Sequence, residues 1–334
     1  MSLRVVSGGY DHTIRLWDAV TGTNDQTLQF NESQVNQVQF SLDGRLVAVC
    51  GNPRVCFYDI QSGSTSPVLS LEYHRNNVSQ LVWSESGPFA ITCSEDTWLC
   101  EWDMRASEPL RSCKSDGCLS GVVYGNRKDE CFTCDYGGSI KIWSLENKEV
   151  LARLVFGDQE ILSGLVFDPL HHLVASIGNS GYGYLFRVET EEEEKESTSM
   201  KDEGSMSNQT DDGYFSRVTK LRCSKRYVLK ARFNRDASLL VSAGDDGNIR
   251  VWGDEKVADR YQEQRWQQSR LVGKHQKWAW DCLFTRDTRY VFSASSDKRI
   301  CLWDIETGDL MKEYKGHQKA ITSIDTFPTT TDND

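Results

Sequence analysis

GGYDHTIRLWD at residues 8–18 and SASSDKRICLWD at residues 293–304 are two copies of one unit, a strand of small residues, an Asp-centred turn and a strand ending in Trp-Asp. Strands that close on an aromatic recur at Trp17, Tyr58, Trp102, Trp143, Phe186, Trp252 and Trp303, at steps of 41, 44, 41, 43, 66 and 51 residues. Four of these six steps fit the ~40–45-residue period of a four-stranded propeller blade, and the two long ones must hold insertions. Each unit reads as four short strands, as at 35–40, 46–50, 54–59 and near 67–71, punctuated by Gly, Asn, Asp and Pro. A four-stranded sheet that is apolar on both faces cannot bury itself alone, so the units must stack, and a closed ring leaves only short, protected edges. Seven units in 334 residues predict a single all-β domain, a seven-bladed β-propeller over residues 1–327 with a flexible tail at 328–334. The chain begins and ends in mid-unit. Residues 3–30 supply three strands and residues 320–326 the inner strand, so N-terminal and C-terminal strands are expected to pair in one closing blade.

The spacing of polar residues supports this register. The chain resembles the WD-repeat proteins over nearly all its length, and such repeats often carry a buried Trp–Ser/Thr–His–Asp hydrogen-bond chain. The pattern places Asp six, Ser or Thr ten and His 28 residues before the anchoring Trp. His74, Thr92, Asp96 and Trp102 fit, as do His275, Ser293, Asp297 and Trp303, while His317 would meet Ser7, Asp11 and Trp17 across the chain ends. Ser242, Asp246 and Trp252 lack the His, and the units at Tyr58, Trp143 and Phe186 largely lack the set. Ser, His and Asp together suggest a catalytic triad. Their recurrence at fixed offsets fits a satisfied internal network better.

Composition bounds the function. The 11 Cys are scattered along strands, as reduced thiols filling small core gaps would be, and only Cys131 and Cys134 form a CxxC, with no second pair at zinc spacing. No metal or cofactor is expected. There is no apolar run of 18 residues and no hydrophobic signal core, so a cytoplasmic protein without a transmembrane segment is expected. The net charge is −11, but residues 189–212 contribute −8 of it with ten acids and two lysines. The near-neutral remainder argues against a nucleic-acid surface. The acidic stretch itself, 189–215, is expected to be a disordered insertion between the third and fourth strands of the fourth unit; Ser199 and Asp202 stand at a spacing that acidophilic kinases use. The motifs GxxxxGK[ST], HExxH and GxSxG are absent, and GNSGYGY at 178–184 belongs to a strand turn, so no enzyme is expected.

The repeats can be compared with one another. Count back from the aromatic that closes each inner strand: Phe40, Trp83, Tyr124, Phe167, Phe233 and Phe284, with Thr326 at that place in the seventh unit. Five residues earlier the position is always apolar (Val35, Val78, Leu119, Leu162, Val228, Ala279, Ile321). Four earlier it reads Asn36, Ser79, Ser120, Ser163, Leu229, Trp280 and Thr322, small or polar in five of seven, as a narrow ring mouth would require. Trp280 breaks the rule, and Trp278 projects on its side of the strand. Two uses compete for the pair: filling the seam between the fifth and sixth blades, or anchoring a partner from the rim. Gln34, Asn36 and Asn77, with Gln318 and Lys319 across the closure, would be the amide-rich neighbours of such anchors.

At these residues the resemblance narrows. The runs 8–18, SQVNQVQF (33–40), WAWDCLF (278–284), SASSDKRICLWDIETGD (293–309) and KEYKGHQKAITSI (312–324) are similar to the small WD-repeat subunit of the TOR kinase complexes, the Lst-eight or G-protein-beta-like family. SQVN, WAW and YKGHQKA carry the narrower match. The resemblance implies a non-catalytic subunit, monomeric within a hetero-complex, that clamps an insertion in the C-terminal lobe of a TOR-type kinase domain, steadies its active-site region and meets other TOR complex subunits. Gln34, Asn36, Trp278 and Trp280 would face the kinase, and peripheral association with endomembranes would come through the complex. Residues 105–230 match only as repeats. The acidic insertion and residues 253–274, a longer outer strand or a short helix beside the two tryptophans, depart from the family. A WD-repeat adaptor of a ribosome or ubiquitin ligase is the alternative reading. A propeller hydrolase would need acids or His converging on the channel, and the seven strand starts supply none.

Overall fold

The computed structural model describes residues 3–125, 127, 129–156, 160–188, 214–253, 262–267 and 269–328. Their strands form seven antiparallel four-stranded sheets. Blade 7 contains β1 (Leu3–Gly9), β2 (Thr13–Asp18) and β3 (Asn24–Gln29). Blade 1 contains β4 (Gln37–Phe40), β5 (Leu46–Cys50), β6 (Val55–Asp59) and β7 (Leu69–Leu71). Blade 2 follows as β8 (Val78–Trp83), β9 (Phe89–Ser94), β10 (Trp98–Asp103) and β11 (Pro109–Lys114), and blade 3 as β12 (Leu119–Tyr124), β13 (Glu130–Asp135), β14 (Ser139–Ser144) and β15 (Glu149–Val155). Blade 4 is β16 (Leu162–Asp168), β17 (Leu173–Gly178), β18 (Tyr182–Val188) and β19 (Phe215–Arg222). Blade 5 is β20 (Val228–Phe233), β21 (Leu240–Gly244), β22 (Asn248–Trp252) and β23 (Ser269–Lys274), with a short helix α1 (Glu263–Gln267) before its last strand. Blade 6 is β24 (Ala279–Phe284), β25 (Tyr290–Ser295), β26 (Arg299–Asp304) and β27 (Leu310–Lys315). β28 (Ile321–Pro328) then completes blade 7 by pairing with β1, from Leu3 opposite Pro328 to Gly9 opposite Ile321.

Seven apolar clusters hold the ring, each built from the facing sides of two adjacent blades. Phe57 and Leu71 of blade 1, for example, meet Leu81 and Trp102 of blade 2. Alternation along the strands explains the arrangement, because each central strand must feed both seams and is therefore apolar on both faces. It also settles the CxxC. Three residues apart on β13, Cys131 and Cys134 point to opposite faces, one into the seam with blade 2 and the other into the seam with blade 4. Burial pushes the Cys134 thiol up to about 12, so it stays protonated and unreactive.

The Trp networks form where the spacing placed them. His74 Nε2 meets Thr92 Oγ1 at 2.8 Å and its Nδ1 meets Asp96 at 3.0 Å, while Trp102 Nε1 donates to Thr92 at 2.9 Å. His275 does the same with Ser293 (2.7 Å) and Asp297 (2.9 Å), and His317 reaches Ser7 (2.8 Å) and Asp11 (2.9 Å) across the chain ends. Trp303 and Trp17 donate to Ser293 and Ser7, each at 2.8 Å. Burial works against the Asp96 carboxylate, but the His74 hydrogen bond, two backbone N–H donors and the His74 charge outweigh it and hold the group at about 2. Asp11 and Asp297 are depressed in the same way.

Blade 3 keeps more of this network than expected. Trp143 Nε1 donates to Thr133 at 2.8 Å, and the buried Lys141, two residues before Trp143, binds Ser115 (2.9 Å), Asp135 (3.0 Å) and Asp116. Arg250 stands at the same offset from Trp252 and binds Asp246 at 2.8 Å. A long cationic side chain thus fills the space left by the missing imidazole. In blade 4, Phe186 has no N–H to give, and the buried Ser176 hydroxyl has no partner among the described residues.

Two expected boundaries shift. Phe215 is fully buried as the first residue of β19 rather than part of the insertion, and Pro328 belongs to the β28 ladder rather than to a tail. Residues 189–213, with Ser199 and Asp202, lie outside the described residues, as do 329–334.

Candidate functional rim

The upper rim is the one where the inner strands β4, β8, β12, β16, β20, β24 and β28 begin. All seven residues of the always-apolar position, from Val35 to Ile321, are completely buried there. The next position has a definite task. Thr322 Oγ1 donates to Val35 O at 2.6 Å, Asn36 Nδ2 to Val78 O at 3.1 Å, Ser79 Oγ to Leu119 O at 2.8 Å and Ser163 Oγ to Val228 O at 2.7 Å. Each hydrogen bond crosses a seam to the buried apolar residue of the next blade. The position is polar because it latches blades together, a more specific cause than a narrow mouth. Ser120 turns back to Cys134 O of its own blade, at 3.2 Å. Leu229 has no donor, and Trp280 gives its Nε1–H to Ser296 of its own blade at 2.6 Å.

Where the latches stop, aromatic rings begin. Tyr227 and Trp278 have centroids 5.9 Å apart, Trp278 and Trp280 5.8 Å, and Trp280 and Tyr10 5.9 Å. This arc crosses blades 5, 6 and 7. Tyr227 is 39% exposed, Trp278 42% and Tyr10 38%, while Trp280 is half-buried. Neither Trp joins an inter-blade core cluster, and their ring contacts to Tyr227 and Tyr10 lie at the rim. A hollow of about 550 Å³ lies beside the arc, lined by Asp245, Asp246, Gln276, Lys277, Trp278 and Ser296.

The other rim residues divide. Gln318 and Lys319 are exposed beside Tyr10, whose backbone N–H binds Ala320 O at 2.9 Å. Asn77 donates to Glu95 at 3.0 Å, and Gln34 is half-buried. Asn36 spends its amide N–H groups on Val78 O and Gly51 O, which makes it part of the seam first. Of residues 253–274, the described part holds the short helix α1 and the strand β23, but the helix is not beside the two tryptophans. Trp266 of α1 is fully buried against Phe233, at the end of β20 opposite to Tyr227, so the described helix packs away from the two tryptophans.

Acids do reach the channel below the strand starts, but they are occupied. Asp281 accepts from Arg232 at 3.1 Å, Ser323 Oγ at 3.1 Å and Ile324 N–H at 2.9 Å, and Asp325 accepts from Phe40 N–H at 2.9 Å. These bonds tie blades 5, 6, 7 and 1 together across the axis. Desolvation there lowers the Lys230 ammonium and raises the Asp325 carboxyl. No group of three or more metal-ligating side chains occurs among the described residues, and no described helix is long and apolar enough to cross a membrane.

Sheets, seams and latches of this kind define the WD40 β-propellers. The model of the WD domain, G-beta repeat, matches residues 2–18, 22–59, 65–103, 215–253 and 266–304. The chain is also 32% identical to the target of rapamycin complex subunit LST8 of Saccharomyces cerevisiae, covering 97% of this chain and 98% of that one. It is 29% identical to the target of rapamycin complex subunit wat1 of Schizosaccharomyces pombe (97% and 95% covered) and 26% identical to LST8 of Mus musculus (96% and 93%). The chain belongs to the LST8 family of WD-repeat proteins.

Proposed function

We propose that the protein is a non-catalytic scaffold subunit of TOR kinase complexes in nutrient and growth signalling. It docks through its upper rim on the C-lobe insertion of a TOR-type kinase domain and stabilises the active-site region. The observation that carries this reading is the exposed arc Tyr227–Trp278–Trp280–Tyr10 on the rim of a chain whose full-length relatives are named as TOR complex subunits. Large, rigid aromatics beside amide and ammonium groups suit a protein surface, since Trp dominates interface hot spots and offers area at low conformational cost. Gln34, Asn36, Asn77, Gln318 and Lys319 form the polar surround that orients the partner. The mechanism is preorganisation: a closed ring latched across its seams presents the arc in one geometry, so binding orders the kinase segment rather than the propeller.

Affinity purification of the tagged protein from its own cells, beside a Trp278→Ala/Trp280→Ala form of matched melting temperature, tests this. A TOR-type kinase should be recovered with the parent, and the double variant should bind it more weakly by roughly 2–4 kcal/mol, or at least about thirtyfold. Recovery of a ribosome or ubiquitin ligase without a kinase would overturn the reading. Retention of the kinase by the double variant would move the dock elsewhere.

A further inference from the structure

The lower rim, where the inner strands end, holds a different feature. A cavity of about 770 Å³ opens between blades 6 and 7, with Leu3, Phe292, Leu302 and Pro328 in its wall. Val20 (62% exposed) and Met311 (51%) belong to the same lining, and the apolar surface continues outside it onto Leu310 (44%). Two cations, Arg235 and Arg286, line the same cavity; both are exposed, and neither has a hydrogen bond or ion pair among the described residues. The lining holds one further charge of each sign, Asp287 and Lys312, so cations outnumber acids there. Asp287 accepts from Thr285 Oγ1 at 2.6 Å and from Arg289 N–H at 3.2 Å, and Lys312 binds Val20 O.

We infer that this is a second docking surface, and that its occupant is a protein segment in which apolar side chains are flanked by carboxylates. The cavity and its lips ask for apolar side chains, and a contiguous apolar patch on a soluble ring marks a contact site. The two free guanidiniums select the sign, because each offers a fork of donors that matches a carboxylate and repels a cation. A small amphiphile would cover the cavity with Val20 but leave Leu310 in water, whereas a peptide chain covers the cavity and Leu310 together. The surface lies at the opposite ends of the strands from the aromatic arc. The ring can therefore hold two partners at once, and either surface can fail without the other.

The test uses the full chain and a fluorescein-labelled peptide, Glu-Asp-Leu-Phe-Asp-Glu, read by anisotropy. Two control peptides replace the acids with Lys or the Leu-Phe pair with Ser, and laurate serves as competitor. The acidic apolar peptide should bind at least about tenfold tighter than either control. Arg235→Glu/Arg286→Glu should reverse the charge preference, Val20→Asp should weaken binding without lowering the melting temperature, and Trp278→Ala should leave it unchanged. Absence of binding, equal binding of the three peptides, or indifference to charge reversal would overturn the inference. So would laurate binding at the cavity while the peptide does not.

Discussion

The two halves of the upper rim treat the same backbone position differently. Around blades 7, 1, 2 and 3, Thr322, Asn36 and Ser79 spend their polar groups across the seams. Around blades 5 and 6 the same position carries Leu229 and Trp280, neither of which crosses a seam, and the polar energy given up there is replaced by exposed aromatic surface. A repeat protein gains a binding site most cheaply by exempting one sector from its own packing rule. Blades 5, 6 and 7 are still tied lower down by Arg232, Asp281 and Ser323, so loss of the latch at the rim does not open the ring.

The harshest way to separate the halves is to remove an imidazole. His317→Leu leaves the Asp11 carboxylate, 5% exposed, without its imidazole partner and should cost about 3 kcal/mol in urea unfolding. Ser224→Ala, at the corresponding place in blade 5, removes one hydrogen bond to Asp245 (2.6 Å) and should cost about 1 kcal/mol. Acid comes next. The folded-state value of Asp96 is depressed to about 2, so its contribution is complete above the unfolded value, near 4, and is lost as pH falls toward 2. Asp96→Asn should therefore remove on the order of 2 kcal/mol at pH 6 and much less at pH 2.5, and an equal loss at both would refute the linkage. Thr322→Val should lower stability by about 1 kcal/mol, since Val35 O and Gly8 O lose their donor, with kinase recovery unchanged. The smallest effect sharpens the comparison most. Leu229→Thr should install the missing latch opposite Ala279 and raise stability by about 0.5 kcal/mol; a decrease would show that this seam cannot accept it.

The seven blades were legible because each repeat supplies its own alignment: the buried apolar position recurs in all seven, and the full set of Asp, Ser/Thr and His offsets in three of them. The latches were legible as polarity but not as bonds, since their acceptors are carbonyls some 40 residues away. Lys141 and Arg250 were missed because they reach the network from a different strand position than the histidine they replace. The arc was half visible. Trp278 and Trp280 stood out against the other inner strands, but Tyr10 lies in the turn between the second and third strands of its blade. A comparison seven residues before each anchoring aromatic reads Gly51, Glu95, Tyr136, Asn179, Asp245, Ser296 and Tyr10, so it marks Tyr10 only together with Tyr136. The direction of α1 could not be read from composition, because only packing told Trp266 which end of β20 to cover.

Blade 7 also sets a timetable. β1 is made before every other strand of the ring and its inner neighbour β28 after them all, so Ser7 waits 310 residues for His317. Until β28 emerges the nascent ring is an arc with two raw margins, one at β1 and one at the newest blade, each a row of unpaired amides beside apolar side chains. Assembly with a partner cannot begin productively until that gap shuts, because Tyr10, at one end of the aromatic arc, is brought to Trp280 only by the last strand made.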